Sequence, residues 1–348
     1  MPTPNLCAYD AAGRVLVLCD GRQVLVHGGA DEAPLWKRDL DADPVGFGAA
    51  GDAVITLDSA GKLAFWHITE GEPLTTIDVT PNPRALGVAR QRALCAVVVA
   101  DGVTLVERGV APRTLKLGGA TAAALNDDGT RLAMGNAAGE VQIVTASGDP
   151  VGKSQLDGAV TSLCWSAAGF WIATCGERVL RIEPAGGEFE HITRAGGMAP
   201  DCVSASLDGR LFAARLTENL MMALAYPSRE TAVQLRYPTR KVTGVAFGPG
   251  HRLGVALDLG DGNFVDIPNE QLLRTDTFPG RTHNRWMVAT LIKSQGTPAG
   301  ATPAAAAGAP ATAPLTASPA TASKSSAGMW LGIIGALIGI AIVLSRCV

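Results

Sequence analysis

The sequence is poor in the arrangements that usually announce chemistry. Its five histidines, His27, His67, His191, His251 and His283, are scattered, with no H-x-H or H-x-x-x-H spacing to clasp a metal. None of the seven cysteines stands in a C-x-x-C pair, so zinc-ribbon and thioredoxin-type sites have no spacing to rest on. There is no G-x-S-x-G nucleophile elbow and no calcium-loop pattern. Stretches such as Gly260-Asp261-Gly262 lead from one apolar strand into another, so no helix N-terminus waits there for a phosphate. An excess of one charge is missing too. Lys and Arg number 29 against 32 Asp and Glu, for a net charge of −3. That excludes the basic footprint of non-specific nucleic-acid binding. One mild basic cluster (Arg194, Arg229, Arg236, Arg240 and Lys241) reads as a solvated loop face, with an anionic partner as the alternative. No catalytic, cofactor-binding or metal-ligating residue is therefore assigned, and no cofactor is expected.

Sustained i, i+3, i+4 apolar spacing is absent from the first 280 residues, which excludes a helical solenoid. What takes its place is a repeat. The stretch 122–155 reads as four short strands: Ala122–Leu125, Arg131–Gly135, the alternating Glu140–Thr145, and a last piece after Asp149-Pro150. Asn126-Asp127-Asp128-Gly129 and Ala137-Ala138-Gly139 are the turns between them, because Gly takes positive φ without strain. Equivalent turns recur at Tyr9–Gly13, Gly48–Gly51, Ala89–Gln91, Ser166–Gly169, Ser206–Gly209 and Gly248–Gly250, spaced about 40 residues apart. An apolar strand follows each turn: VLVLC, AVITL, ALCAVVV, RLAMG, FWIATC, RLFAARL and RLGVAL. One such meander cannot bury its own faces, so the copies must stack. Six of the seven cysteines lie in or beside these runs, where a thiol acts as a small hydrophobe; the odd total suits a reducing compartment. Met221 and Met222, adjacent on a strand, face opposite sides and serve as packing filler.

Gly61-Lys62-Leu63-Ala64-Phe65-Trp66-His67-Ile68 resembles the third strand of a WD40 repeat, with its Trp-Asp ending. Trp66 stands at the family's Trp, and His67 at its Asp. Gly139–Val144 and Gly262–Ile267 fit the same position more loosely, the latter with Asp266 near the WD aspartate. The Gly-His dipeptide that opens many family repeats is missing, and no blade carries a complete Asp-His-Ser/Thr-Trp set. The resemblance implies an all-β, seven-bladed β-propeller of four-stranded antiparallel blades over residues 5–280. How such a ring closes is left open, since the first and last repeats each have a full set of strands.

Beyond the repeats, residues 281–295 hold the apolar run Trp286–Ile292 between Arg281, Arg285 and Lys293. This segment reads as a cap on the ring, or else as a juxtamembrane segment lying on a membrane surface. Residues 296–327 are Ala, Thr, Pro, Ser and Gly with the single charge Lys324, a composition too polar and simple to fold, hence a disordered linker. The one long hydrophobic run comes last. Residues 328–345 form an expected transmembrane helix, long enough for the ~30 Å hydrocarbon core, with 346–348 as a short tail. Trp330, Lys324 and Arg346 mark the membrane interface. Gly328, Gly332, Gly335 and Gly339 share one helix face, the pattern of close helix–helix association. Met1–Asn5 has neither a basic region nor an apolar run, so no secretory leader is expected.

These readings point to a single-pass, tail-anchored protein with a cytoplasmic propeller, at the inner membrane if the source is bacterial. Its expected role is a non-catalytic scaffold binding protein partners on the propeller's loop faces, with possible helix-mediated self-association and no nucleic-acid partner. The alternative is a propeller enzyme, of hydrolase, lactonase or quinone-dehydrogenase type, with a site in the central channel. The innermost strands (AAAL, SLCW, VSAS, GVAF) are small and apolar, which disfavours that alternative.

Overall fold

A computed structural model describes residues 5–274, apart from 11, 13–14, 29–32, 195–197, 230, 259–261 and 268–270. Its 28 strands form seven four-stranded antiparallel sheets, each built from four consecutive strands. Blade 1 comprises β1 (Ala8–Tyr9), β2 (Leu16–Asp20), β3 (Gln23–His27) and β4 (Pro34–Asp39); blade 2 comprises β5 (Pro44–Ala50), β6 (Ala53–Asp58), β7 (Lys62–His67) and β8 (Pro73–Asp78). Blade 3 holds β9 (Ala85–Val88), β10 (Leu94–Val99), β11 (Gly102–Glu107) and β12 (Arg113–Lys116). In blade 4 they are β13 (Ala120–Leu125), β14 (Arg131–Asn136), β15 (Glu140–Thr145) and β16 (Pro150–Gln155). Blade 5 has β17 (Val160–Ser166), β18 (Phe170–Cys175), β19 (Arg178–Ile182) and β20 (Phe189–Arg194). Blade 6 runs β21 (Cys202–Ala205), β22 (Leu211–Thr217), β23 (Leu220–Ala225) and β24 (Thr231–Arg236), and blade 7 runs β25 (Val242–Phe247), β26 (Arg252–Leu257), β27 (Gly262–Asp266) and β28 (Gln271–Arg274). The first strand of each blade lines a central channel and the fourth lies at the outer edge. Among the described residues the one helical element is a 3₁₀ turn, Pro249–His251.

Each second strand is buried on both faces. Every residue of Ala53–Asp58, Leu94–Val99 and Phe170–Cys175 is buried, which is why these stretches read as unbroken apolar runs. The core lies between the blades: Trp171, Phe65 and Phe212 are fully buried there. Close approach of neighbouring blades depends on backbone without side chain. A Cβ on Gly87 would meet the Ala123 carbonyl oxygen at 2.6 Å, and one on Gly152 would meet the Ala185 oxygen at 1.7 Å.

The ring closes without exchanging a strand. Blade 1 packs on blade 7, with the Leu6 N–H donating to Thr243 O at 3.0 Å. The Asn5 side chain completes the seam: its Nδ2 donates to Val245 O and its Oδ1 accepts from Val245 N, both at 3.1 Å. Propeller termini held this way leave no gap between the first and last sheets.

A regular irregularity marks the outer edge. In six blades one residue of the fourth strand has no partner across the ladder, reached after one pair from the hairpin loop in blades 1, 2, 4 and 6, after two in blade 7 and after three in blade 5. These β-bulge residues are Leu35, Leu74, Val151, Ile192, Ala232 and Leu273; blade 3 pairs without one.

Candidate interaction faces and central channel

At the end where the innermost strands begin, side chains of one blade reach carbonyls of the next. Arg84 Nη1 donates to Ala120 O at 2.9 Å, Thr121 Oγ1 to Val160 O at 2.5 Å, and Thr161 Oγ1 to Pro200 O at 2.9 Å. Arg215 continues the series with Nη1 on Val242 O at 2.5 Å, while its Nε and Nη2 each meet an Asp201 carboxylate oxygen at 2.7 Å. Thr121 and Thr161 are the extra residues of bulges in the first strand, so the bulge itself aims the hydroxyl at the neighbouring blade.

At the opposite end, the turns leaving the innermost strands are linked to each other. Arg90 Nε donates to Asp127 Oδ1 at 2.6 Å and Gln91 N to Asp127 O at 2.9 Å, joining blades 3 and 4. His251 Nε2 lies 2.7 Å from Asp208 Oδ2, joining blades 7 and 6. Burial pushes the Asp208 carboxyl upward, but hydrogen bonds from Ser206 and His251 outweigh it and hold the group below the usual carboxylate range.

Between these two rings of contacts lies a channel cavity of about 180 Å³, room for a handful of waters. Its walls are Tyr9, Phe47, Leu86, Leu125, Trp165 and Phe247, with Asn5, Arg90, Asp127 and Ser204 as polar members. Arg90 and Asp127 neutralise one another, and Ser204 Oγ is taken up by Phe247 N at 3.2 Å. Among the described residues, no group of three or more His, Cys, Asp or Glu could hold a metal ion. Among the described residues the thiols are not poised as nucleophiles: burial raises Cys19 to about 12 and Cys202 to about 11, the latter against the opposing charge of Arg215.

The residues singled out in the sequence are spread apart. Trp66 lies on β7, and its Nε1 donates to Thr56 Oγ1 at 2.9 Å, while its ring sits 6.2 Å from that of Trp36. This pairs a third-strand Trp with a second-strand Thr inside blade 2. His67, at the family's Asp position, instead caps the turn that follows: Glu70 N donates to His67 Nδ1 at 3.3 Å. Thr145 does the same in blade 4, its Oγ1 accepting from Asp149 N at 3.0 Å. Asp266 ends β27 opposite Arg252 and Gln271. Lys324, Gly328, Trp330, Gly332, Gly335, Gly339 and Arg346, and the cap, linker and transmembrane segments over 281–345, lie outside the described residues. Among those described, no helix is long and apolar enough to cross a membrane.

Three members of the basic cluster are paired with carboxylates. Arg240 is buried, with Nε on Asp258 Oδ1 at 2.7 Å; Lys241 pairs with Glu218 at 2.9 Å; Arg229 pairs with Glu190. Sequence proximity had suggested one solvated face, but each of these three turns to a carboxylate 18 to 39 residues away. Loop carboxylates are likewise engaged. Asp41 accepts from Lys62 and Asp43 from Arg22, and Asp128 is held low by hydrogen bonds from Thr130. Met221 is buried and Met222 half-buried on the other face of β23, as their adjacency requires.

The geometry matches solved propellers. The β-propeller domain of Cps50 (Swd1) from Myceliophteria thermophila superposes with a TM-score of 0.62 at 13% identity, over 73% of this chain and 94% of that one. A chain of the mitotic checkpoint complex gives 0.60 at 18% identity, over 72% and 86%. No protein-family model and no curated protein matches the sequence. The fold is a β-propeller with four-stranded antiparallel blades.

Proposed function

We propose that this protein is a non-catalytic scaffold: a seven-bladed ring whose loop faces and edge bind a protein partner, held near a membrane by its C-terminal run. The observation that carries this reading is how the polar groups are spent. Arg84, Thr121, Thr161 and Arg215 at one end, and Arg90, Asp127, Asp208 and His251 at the other, bind blades to one another rather than converging on a reactive point. Such a ring is rigid and presents its loops in fixed positions, which is what recognition needs. A similar chain occurs in the mitotic checkpoint complex, which agrees with a role in assemblies. Tethering is read from residues 296–345, whose composition suits a linker followed by a bilayer-spanning helix.

The test is a stoichiometric pull-down of the full chain in mild detergent beside a chain cut before Gly296. A partner retained by both supports recognition by the ring. A partner lost with the helix moves recognition to the Gly328, Gly332, Gly335 and Gly339 face and removes the scaffold reading of the ring.

A further inference from the structure

One position recurs just past the third strand of a blade, marked by the same backbone hydrogen bond to the residue before the second strand. Ile68 N donates to Asp52 O in blade 2, Arg108 N to Ala93 O in blade 3, Ala146 N to Thr130 O in blade 4 and Tyr226 N to Arg210 O in blade 6. In three of these blades the side chain closes the gap to the blade before it. Ile68 is buried with Trp36 of blade 1, and Arg108 Nη1 meets Asp52 Oδ2 of blade 2 at 3.2 Å. The Tyr226 ring lies 5.4 Å from that of Phe170 in blade 5. Blade 4 has only the methyl group of Ala146 there.

Between Ala146 and blade 3 a cavity of about 240 Å³ is left, larger than the cavity in the channel. An apolar cavity of about 150 Å³ already takes up benzene, so the space suits one large side chain. Register sets its walls. Leu94 stands opposite Glu107, and Leu105 opposite Arg113, so these four share one face of blade 3. Leu94 and Leu105 form the buried floor, and Val110 at the mouth is 55% exposed. The charged rim is unbalanced. Arg92 and Glu107 satisfy each other through two bonds of 2.7 Å. Arg113 is exposed and donates Nη1 to Ser147 O at 2.7 Å, but among the described residues no carboxylate is in ion-pair range of it. Asp149 takes its hydrogen bonds from Ser147 and Thr145 instead.

We propose that this cavity between blades 3 and 4 holds the partner: an extended peptide segment that seats a leucine or isoleucine beside Ala146 and pairs a carboxylate two residues away with Arg113. The proposal rests on the scaffold reading and gives it a place and a partner chemistry. Alternate residues of an extended segment point to one side, about 7 Å apart, within reach of the Arg113 side chain from its place opposite Leu105. The incoming side chain supplies what Ile68 and Tyr226 supply from within the chain in blades 2 and 6, and it covers Val110.

The test titrates the end-blocked pentapeptide Gly-Ile-Ser-Asp-Gly into the full chain in detergent, with leucine and valine methyls labelled for NMR. Saturable shifts at Leu94, Leu105 and Val110 are expected. Ala146→Ile, which builds into the cavity the side chain blade 2 carries there, should weaken binding at least about tenfold. Arg113→Gln on the exposed rim, and a peptide with asparagine for aspartate, should each weaken it about threefold, with no further loss when combined. A thermal midpoint of Ala146→Ile at or above that of the native chain separates blocked binding from lost folding. No saturable shift, or shifts that survive Ala146→Ile, would overturn the proposal. So would self-association of the chain that Ala146→Ile abolishes, which would make the occupant a second copy. A partner that the ring retains in the pull-down with Ala146→Ile as well as without it would remove this cavity and leave the scaffold reading standing.

Discussion

The outer edge of blade 4 and those of blades 1 and 2 are built from the same backbone device and end in different states. In blade 4 the bulge directs Val151 into neighbouring side chains, and Gly152 brings β16 against the turn at Ala185 with no room for a Cβ. In blades 1 and 2 the following strand residues pack well, with Trp36 Nε1 on Ile68 O at 3.0 Å, yet the bulge leucines stay outside. A bulge sets the direction of one side chain; only the neighbour decides whether that side chain is buried.

Four changes break or sharpen this contrast. Ile192→Ala removes a buried side chain from the covered edge and should cost about 2–4 kcal/mol in urea unfolding. Gly152→Ala drives a Cβ into a backbone oxygen at the same edge and should cost about 1–3 kcal/mol, with a lower thermal midpoint. The pH dependence of stability tests the turn contacts. Asp208 has its folded pKa depressed, so its contribution is present above the unfolded value of about 3.9 and is lost as pH falls through the folded value. Acid titrations of Asp208→Asn should therefore show a shallower loss of stability below about pH 4 than the native chain. Leu74→Ser, at the bare edge, should change global stability by less than about 1 kcal/mol in the same urea unfolding.

Much of the architecture was legible because it is written in period. Turns such as Asn126–Gly129 and Ser206–Gly209, each followed by an apolar strand, mark every blade without reference to its neighbours. Trp66 was legible for the same local reason. The contacts between blades were not. Arg215 meets Asp201 and Val242, and Arg240 meets Asp258, across separations that no spacing rule in a single strand encodes. Arg240 and Lys241 looked like one basic patch because they are adjacent, yet they face different carboxylates. The bulges were hidden for another reason: one extra residue in a six-residue strand, such as Leu74 in PLTTID, leaves composition and alternation almost unchanged. Their contrast emerges only when blades are compared at the same register.

The most direct test compares Val151→Ser with Leu74→Ser in urea unfolding of the intact chain in detergent. The account predicts a loss of about 1–3 kcal/mol for Val151→Ser and less than about 1 kcal/mol for Leu74→Ser. Equal losses at the two positions would contradict it: the edge of blade 2 would be as covered as that of blade 4.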